Sequence, residues 1–147
     1  MMDKIKEIIN KIDYATVATT SRDGQPWNSP VAAVHDDKLN YYWVSWRENQ
    51  HSKNIQATGR AFIVVYDSTA PEGTGEGVYL QTEAKEVNDQ KEVEDILRNT
   101  MQKTDNKPGE FLDNSPRRIY KASPLNVWLN DESEIDGHYI DVRKQVK

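Results

Sequence analysis

The chain has 147 residues, 36% of them hydrophobic, with four Trp and seven Tyr. That suits one domain, residues 1–147, with a core of large aromatics and short β-branched runs, and it excludes a disordered chain. The net charge of −5 argues against general nucleic-acid binding, and the absence of cysteine excludes a disulfide framework, a thiol nucleophile and thiolate-held zinc or iron–sulfur clusters.

The N-terminus, Met1-Met2-Asp3-Lys4-Ile5-Lys6, lacks an apolar signal region. Asp3 is placed to cap a short helix, in which Ile5, Ile8, Ile9 and Ile12 form one apolar stripe. A β-branched run from Tyr14 to Thr20 reads as a strand, and Asp23-Gly24 as the hairpin turn that ends it. The next strand, Gln25 to Val34, carries Pro26 and Pro30. A proline cannot donate to a ladder, so an edge or a bulge is expected there. A turn at Asp36-Asp37-Lys38 leads to an aromatic strand from Leu39 to Trp46. Glu48 to Thr58 reads as a helix, with Gly59 as its C-terminal cap.

Ala61 to Tyr66 reads as a buried strand. It is also the longest apolar run, far short of the ~20 residues that a membrane helix needs, so no membrane association and a cytoplasmic location are expected. Ser68 to Glu76, with Pro71, Gly73 and Gly75, reads as a loop, and Val78 to Val87 as a long strand. Asn88 is expected to cap a helix that turns Val93, Ile96, Leu97 and Met101 to one side. Thr104 to Pro116 is loop-like, and Arg118 to Ala122, Asn126 to Asn130 and Tyr139 to Val142 read as closing strands. Seven or eight short strands, the first four as a meander, favour a small antiparallel β-barrel with a few helices. A parallel sheet would need a helix between each pair of strands.

The three histidines, His35, His51 and His138, are far apart, and no carboxylates follow a metal-loop spacing, so no metal site is expected. His51 reads as an exposed helix residue, since no strained Gly-x-Ser-x-Gly elbow accompanies His51-Ser52. Gly73-Thr74-Gly75-Glu76-Gly77 precedes a strand rather than a helix. A mobile loop accounts for it as well as a phosphate cradle does.

The segment Tyr41 to Ile55 is more informative, because an aromatic strand runs through a polar turn into a helix that opens with Ser52-Lys53. Helix starts offer free backbone N–H groups, and a hydroxyl and an ammonium there complete a small anion site. Trp43 and Trp46 would flank a planar ring. On the other reading Trp43 belongs to the core, Trp46 covers a barrel end and Lys53 is solvated.

Several stretches together resemble the pyridoxamine 5′-phosphate oxidase-like family of FMN-binding split barrels. They are Ala15–Thr20 with Asp23-Gly24-Gln25-Pro26, Ser29-Pro30-Val31, Ser45 through Ser52-Lys53-Asn54-Ile55, the strand Ala61–Tyr66, and Arg118–Pro124 with Val127-Trp128-Leu129-Asn130. The resemblance implies a mainly β fold, a six-stranded antiparallel split barrel that forms a homodimer with FMN in a groove between subunits. It further implies that Ser52 and Lys53 hold the FMN phosphate, that Asn28, Ser29, Pro30, Val31, Ser45 and Trp46 lie along the ring, and that Trp128 lines the partner's groove or packs in the core. The vitamin-forming members end in an Arg-Leu-His-Asp-Arg type motif, where this chain has Tyr139-Ile140-Asp141-Val142-Arg143-Lys144. Trp27 and Asn28 stand where those members carry an arginine.

The function expected on this basis is an FMN-dependent oxidoreductase acting on a small molecule, other than a true pyridoxamine 5′-phosphate oxidase, with no catalytic residue singled out. The alternatives are a non-catalytic flavin-binding or storage protein, and a split barrel that holds haem, through His51 or His138, or deazaflavin.

Overall fold

The computed structural model describes all 147 residues. Helix α1 (Met2–Ile9) leads into β1 (Tyr14–Thr20), β2 (Pro26–Ala32), β3 (Val34–His35) and β4 (Tyr41–Trp46). Helix α2 (Gln50–Thr58) follows, then β5 (Arg60–Tyr66) and β6 (Gly77–Glu86). Helix α3 (Gln90–Asp95) runs into a π-helical turn (Ile96–Thr100), a 3-10 turn spans Pro108–Phe111, and β7 (Arg117–Ile135) and β8 (His138–Gln145) close the chain.

All eight strands belong to one antiparallel sheet ordered β2-β1-β5-β6-β7-β4-β3, with β8 added on β7. The sheet is a split barrel rather than a closed one. Its two ends, β2 and β3, share no ladder but are joined covalently through the single residue Ala33. The expected four-strand meander is therefore replaced by two hairpins, β1–β2 and β3–β4, at opposite ends of the sheet. The eight strands agree with the seven or eight counted along the sequence, and exceed the six that the resemblance implies because β3 is a two-residue bridge and β8 continues the ladder beyond β7. The edge position expected for β2 from Pro26 and Pro30 is observed: β1 is its only ladder partner.

Alternation along the strands fixes which side chains face in. In β1 Ala15, Val17 and Thr19 are buried, while Thr16 and Ala18 face out. The inward set joins Ile63, Val65, Leu80, Trp43 and Tyr120 in the main core, onto which α1 lays Ile5, Ile8 and Ile9. Burying such side chains contributes about 1.5–3 kcal/mol each. A second core lies on the opposite face of β4 and β7, where Tyr42 and Ile119 meet Val87, Val93, Ile96, Leu97, Phe111 and Leu112.

Two helix caps differ from expectation. Asp3 lies inside the first turn of α1 and makes no cap bond, the N-cap position being Met1. At α3 the cap is Asp89, which accepts from the Glu92 N–H at 2.9 Å, while Asn88 Oδ1 accepts from Arg118 instead. Gly59 does end α2, with φ 69°, a left-handed backbone that costs glycine little. The three expected closing strands are in fact β7, continuous over 19 residues, and β8. A register shift opposite Gln81/Thr82 leaves Leu125 as the extra, half-exposed residue of a bulge, and Pro124 sits beside it.

Candidate functional site

Strand β4 directs Tyr41, Trp43 and Ser45 inward, and the chain then turns through Arg47-Glu48-Asn49 into α2. The positions His51, Asn54, Ile55 and Thr58 follow a helical i, i+3, i+4, i+7 spacing, and the first three are buried. Asn54 Nδ2 donates to Thr19 Oγ1 of β1 at 3.0 Å, which docks the helix on the sheet. His51, expected to be exposed, is 6% exposed. Its helix face turns it toward the sheet, where hydroxyl groups satisfy its ring.

A continuous polar chain results. Ser45 Oγ lies 2.8 Å from His51 Nε2, and Ser29 Oγ of β2 lies 3.2 Å from His51 Nδ1. Asn49 Nδ2 donates to Ser45 Oγ at 2.8 Å, and the indole of the half-exposed Trp27 donates to Ser29 Oγ at 3.1 Å. Burial disfavours the charged imidazole and holds the His51 pKa below its usual value. The chain bridges the split in the barrel, since it ties edge strand β2 to β4 at the far end of the sheet.

The start of α2 is left open by this arrangement. Asn49 occupies the N-cap position, but its side chain is committed to Ser45 and makes no cap bond to the helix. The first-turn amides are thus uncapped by any side chain, with the partial positive charge of a helix start. Lys53 projects from this turn with a 53% exposed side chain and pairs with Glu48 at 3.1 Å. Ser52 points elsewhere. Its Oγ is buried near the Tyr120 hydroxyl without a hydrogen-bond partner. Arg47 is tied to Glu86 at 3.1 Å, and Glu86 also meets Tyr120 and the buried Arg118. Burial pushes the Tyr120 hydroxyl pKa up.

The residues singled out in the sequence therefore fall into three groups. Ser29 and Ser45 meet through His51, with Val31 packed against the main core nearby on β2. Lys53 and Trp46 are exposed around the β4–α2 turn, while Ser52 turns inward. Asn28 and Pro30 point to the outer face of the sheet. In register, Pro30, Thr16, Val64, Tyr79 and Trp128 form one row across β2, β1, β5, β6 and β7. Trp128 stacks on Phe62 at 6.2 Å between ring centres, and the Arg143 guanidinium lies 4.0 Å from the Tyr79 ring centre. Trp43 is a core residue, stacked on Tyr120. The sequence reading takes His51 as an exposed helix residue, with a role only as a haem ligand, and gives Asn49 and Trp27 no role in the site. The helical spacing from His51 to Thr58 was the available signal for the first.

No cluster of histidines and carboxylates suited to a metal is present, and no helix is long and apolar enough to cross a membrane.

No curated protein sequence is significantly similar to this chain. Among solved structures, the haem storage protein HutZ from Vibrio cholerae is 13% identical, with TM-score 0.65, covering 85% of this chain and 91% of its own. HupZ from Group A Streptococcus is 19% identical with TM-score 0.64, covering 86% and 91%. The General Stress Protein 26 from Bacillus anthracis is 14% identical with TM-score 0.63, covering 96% and 98%. At such identities these likenesses bear on the fold alone. The family model described as pyridoxamine 5′-phosphate oxidase matches residues 1–131, which takes in β1 to β6, most of β7 and the β4–α2 turn. The chain belongs to the pyridoxamine 5′-phosphate oxidase family.

Proposed function

We propose that this protein binds FMN at the β4–α2 turn and acts as a flavin-dependent oxidoreductase on a small molecule, as a homodimer. The observation that carries the reading is the uncapped start of α2 with Lys53 beside it, next to the Ser29–His51–Ser45 chain. A phosphate fits a helix start with free amides and an ammonium. The fit differs from the expected Ser-Lys pair, because the Ser52 hydroxyl is buried and Lys53 must give up Glu48. The phosphate-binding groups are then Lys53 and the backbone N–H groups.

Bound FMN would supply electron transfer. The protein's own part is to hold the phosphate, to present the Ser29 hydroxyl and to screen the ring from water. The outer face of Phe62, Val64, Tyr79 and Trp128 supports pairing with a second copy, since a row of aromatics on a sheet exterior is otherwise costly to leave in water.

Haem is the second reading, favoured by the names of HutZ and of a haem-binding protein from Mycobacterium smegmatis. Haem needs a free axial nitrogen. Both nitrogens of His51 are engaged by serines, so the exposed His138 would have to serve. Titration of the purified protein with FMN, riboflavin and haemin, followed by absorbance, separates the readings. Saturable FMN binding supports the first, and haemin binding without FMN binding overturns it.

A further inference from the structure

We infer that His51 is a positioning residue whose tautomer, set by buried Ser45, leaves the Ser29 hydroxyl proton free to bond an acceptor atom on a heteroaromatic ligand. The inference rests on the flavin site proposed above and adds to it a residue and a recognition rule.

The protons along the chain can be counted. Trp27 Nε1–H and Asn49 Nδ2–H donate to Ser29 Oγ and Ser45 Oγ, so each serine oxygen already accepts once. Each serine has one O–H left to give. A neutral imidazole has one N–H and one bare nitrogen. Two arrangements close the chain. In the first, Nδ1–H donates to Ser29 and Nε2 accepts from the Ser45 O–H, which leaves the Ser29 proton free. In the second, Nε2–H donates to Ser45 and Nδ1 accepts from the Ser29 O–H, which leaves the Ser45 proton free.

Burial chooses between them. Ser45 is 7% exposed and has no partner other than His51 and Asn49, so a free O–H there would be stranded. Ser29 is only partly buried, on the edge strand beside half-exposed Trp27, and its free proton can reach water or a ligand. The distances agree. Hydroxyl donors sit closer than N–H donors, and the Ser45–His51 contact is 2.8 Å against 3.2 Å for Ser29–His51. His51 therefore carries its proton on Nδ1. Ser29 acts as a hydrogen-bond donor, selecting ligands that present a carbonyl oxygen or a bare ring nitrogen.

Long-range nitrogen–proton NMR of the ligand-free protein, labelled with 15N-histidine, tests the tautomer whether or not flavin binds. An Nδ1–H signal for His51 is expected, and an Nε2–H tautomer overturns the inference. The Ser45→Ala variant removes the hydroxyl that donates to Nε2, and the bare Nε2 nitrogen resonance should move downfield as that hydrogen bond is lost. An Nε2 resonance that does not move would equally overturn it. For recognition, Ser29→Ala should weaken riboflavin binding roughly tenfold, the worth of about one hydrogen bond. Unchanged riboflavin affinity in that variant removes Ser29 as the donor. Failure of the unmodified protein to bind FMN or riboflavin counts instead against the flavin site, while the NMR result still decides the tautomer.

Discussion

Ser45 on β4 and His51 on α2 meet at 2.8 Å across the polar turn that joins their two elements. The contact orients the imidazole toward Ser29 at 3.2 Å, on the edge strand at the other end of the sheet. One buried histidine thus holds together the two margins of an open barrel that share no ladder.

That position makes stability depend on pH. Burial lowers the His51 pKa in the folded state below its unfolded value near 6.5. The unfolded chain therefore binds more protons at mildly acidic pH, and protonation favours unfolding. The contribution of neutral His51 is fully present above about pH 6.5 and is lost as pH falls toward the depressed folded value. Urea melts across pH 5 to 8 should show this decline. In His51→Gln, which keeps a polar group but cannot titrate, the decline should be shallower. An equal slope in both proteins would mean that other groups govern the transition.

Arg143 leads to a prediction about substrate. Its guanidinium lies over the Tyr79 ring and 5.7 Å from the Phe62 ring centre, on the outer face of the sheet. The one arginine of the segment Tyr139–Lys144, which stands where the vitamin-forming members carry their motif, is thus committed to aromatic packing. Pyridoxamine 5′-phosphate should be turned over poorly or not at all. Aldehyde formation in a direct assay with FMN-loaded protein, at rates well above background, would show that another cation takes over the phosphate.

The outer face itself should mediate self-association. Val64 sits mid-row between Thr16 and Tyr79, and Val64→Glu would set a carboxylate among Phe62, Tyr79 and Trp128. Light scattering should find a dimer for the unmodified chain and a folded monomer for the variant. Like charges facing across a two-fold axis are strongly disfavoured. A monomer in both would leave the shared groove without support.

How much of this was legible in the sequence varies by element. β1, β4 and β5 could be read closely, because runs of β-branched and aromatic residues mark them, with one face buried in β1 and β5 and both faces in β4. The long β7 could not, since Ser123-Pro124 reads as a break. The bulge there accommodates a residue without an N–H, and the ladder resumes at Asn126. The positions of the two hairpins were hidden for another reason. β2 and β3 are separated by one residue, and nothing local says that the sheet parts at Ala33. At the site, Ser29 and Ser45 were identified through the family resemblance, whereas His51 reads as an exposed helix residue because no Gly-x-Ser-x-Gly elbow accompanies His51-Ser52. Burial among hydroxyls depends on tertiary docking, which the helical spacing only hints at.

Lys53 and Glu48 together provide the sharpest test of the phosphate site. Lys53 Nζ lies 3.1 Å from Glu48 Oε2, with both side chains more than half exposed, so their mutual attraction is weak and easily exchanged for a stronger anion. A phosphate at the start of α2 would take the ammonium from Glu48 and accept from the uncapped amides as well. Lys53→Ala should therefore weaken FMN binding roughly ten- to hundredfold, the worth of a charge-assisted contact of ~1.5–3 kcal/mol. Riboflavin has no phosphate, and its affinity should stay nearly constant. Glu48→Gln should act in the opposite direction, since it removes both the competing partner and a negative charge next to the phosphate. FMN affinity should rise in that variant, most clearly at low salt, where exposed charges are least screened. Calorimetric titration of both ligands against the three proteins reads all of this. Equal losses for FMN and riboflavin in Lys53→Ala would point to damage at the ring site. Constant FMN affinity in both variants would remove the start of α2 as the phosphate site.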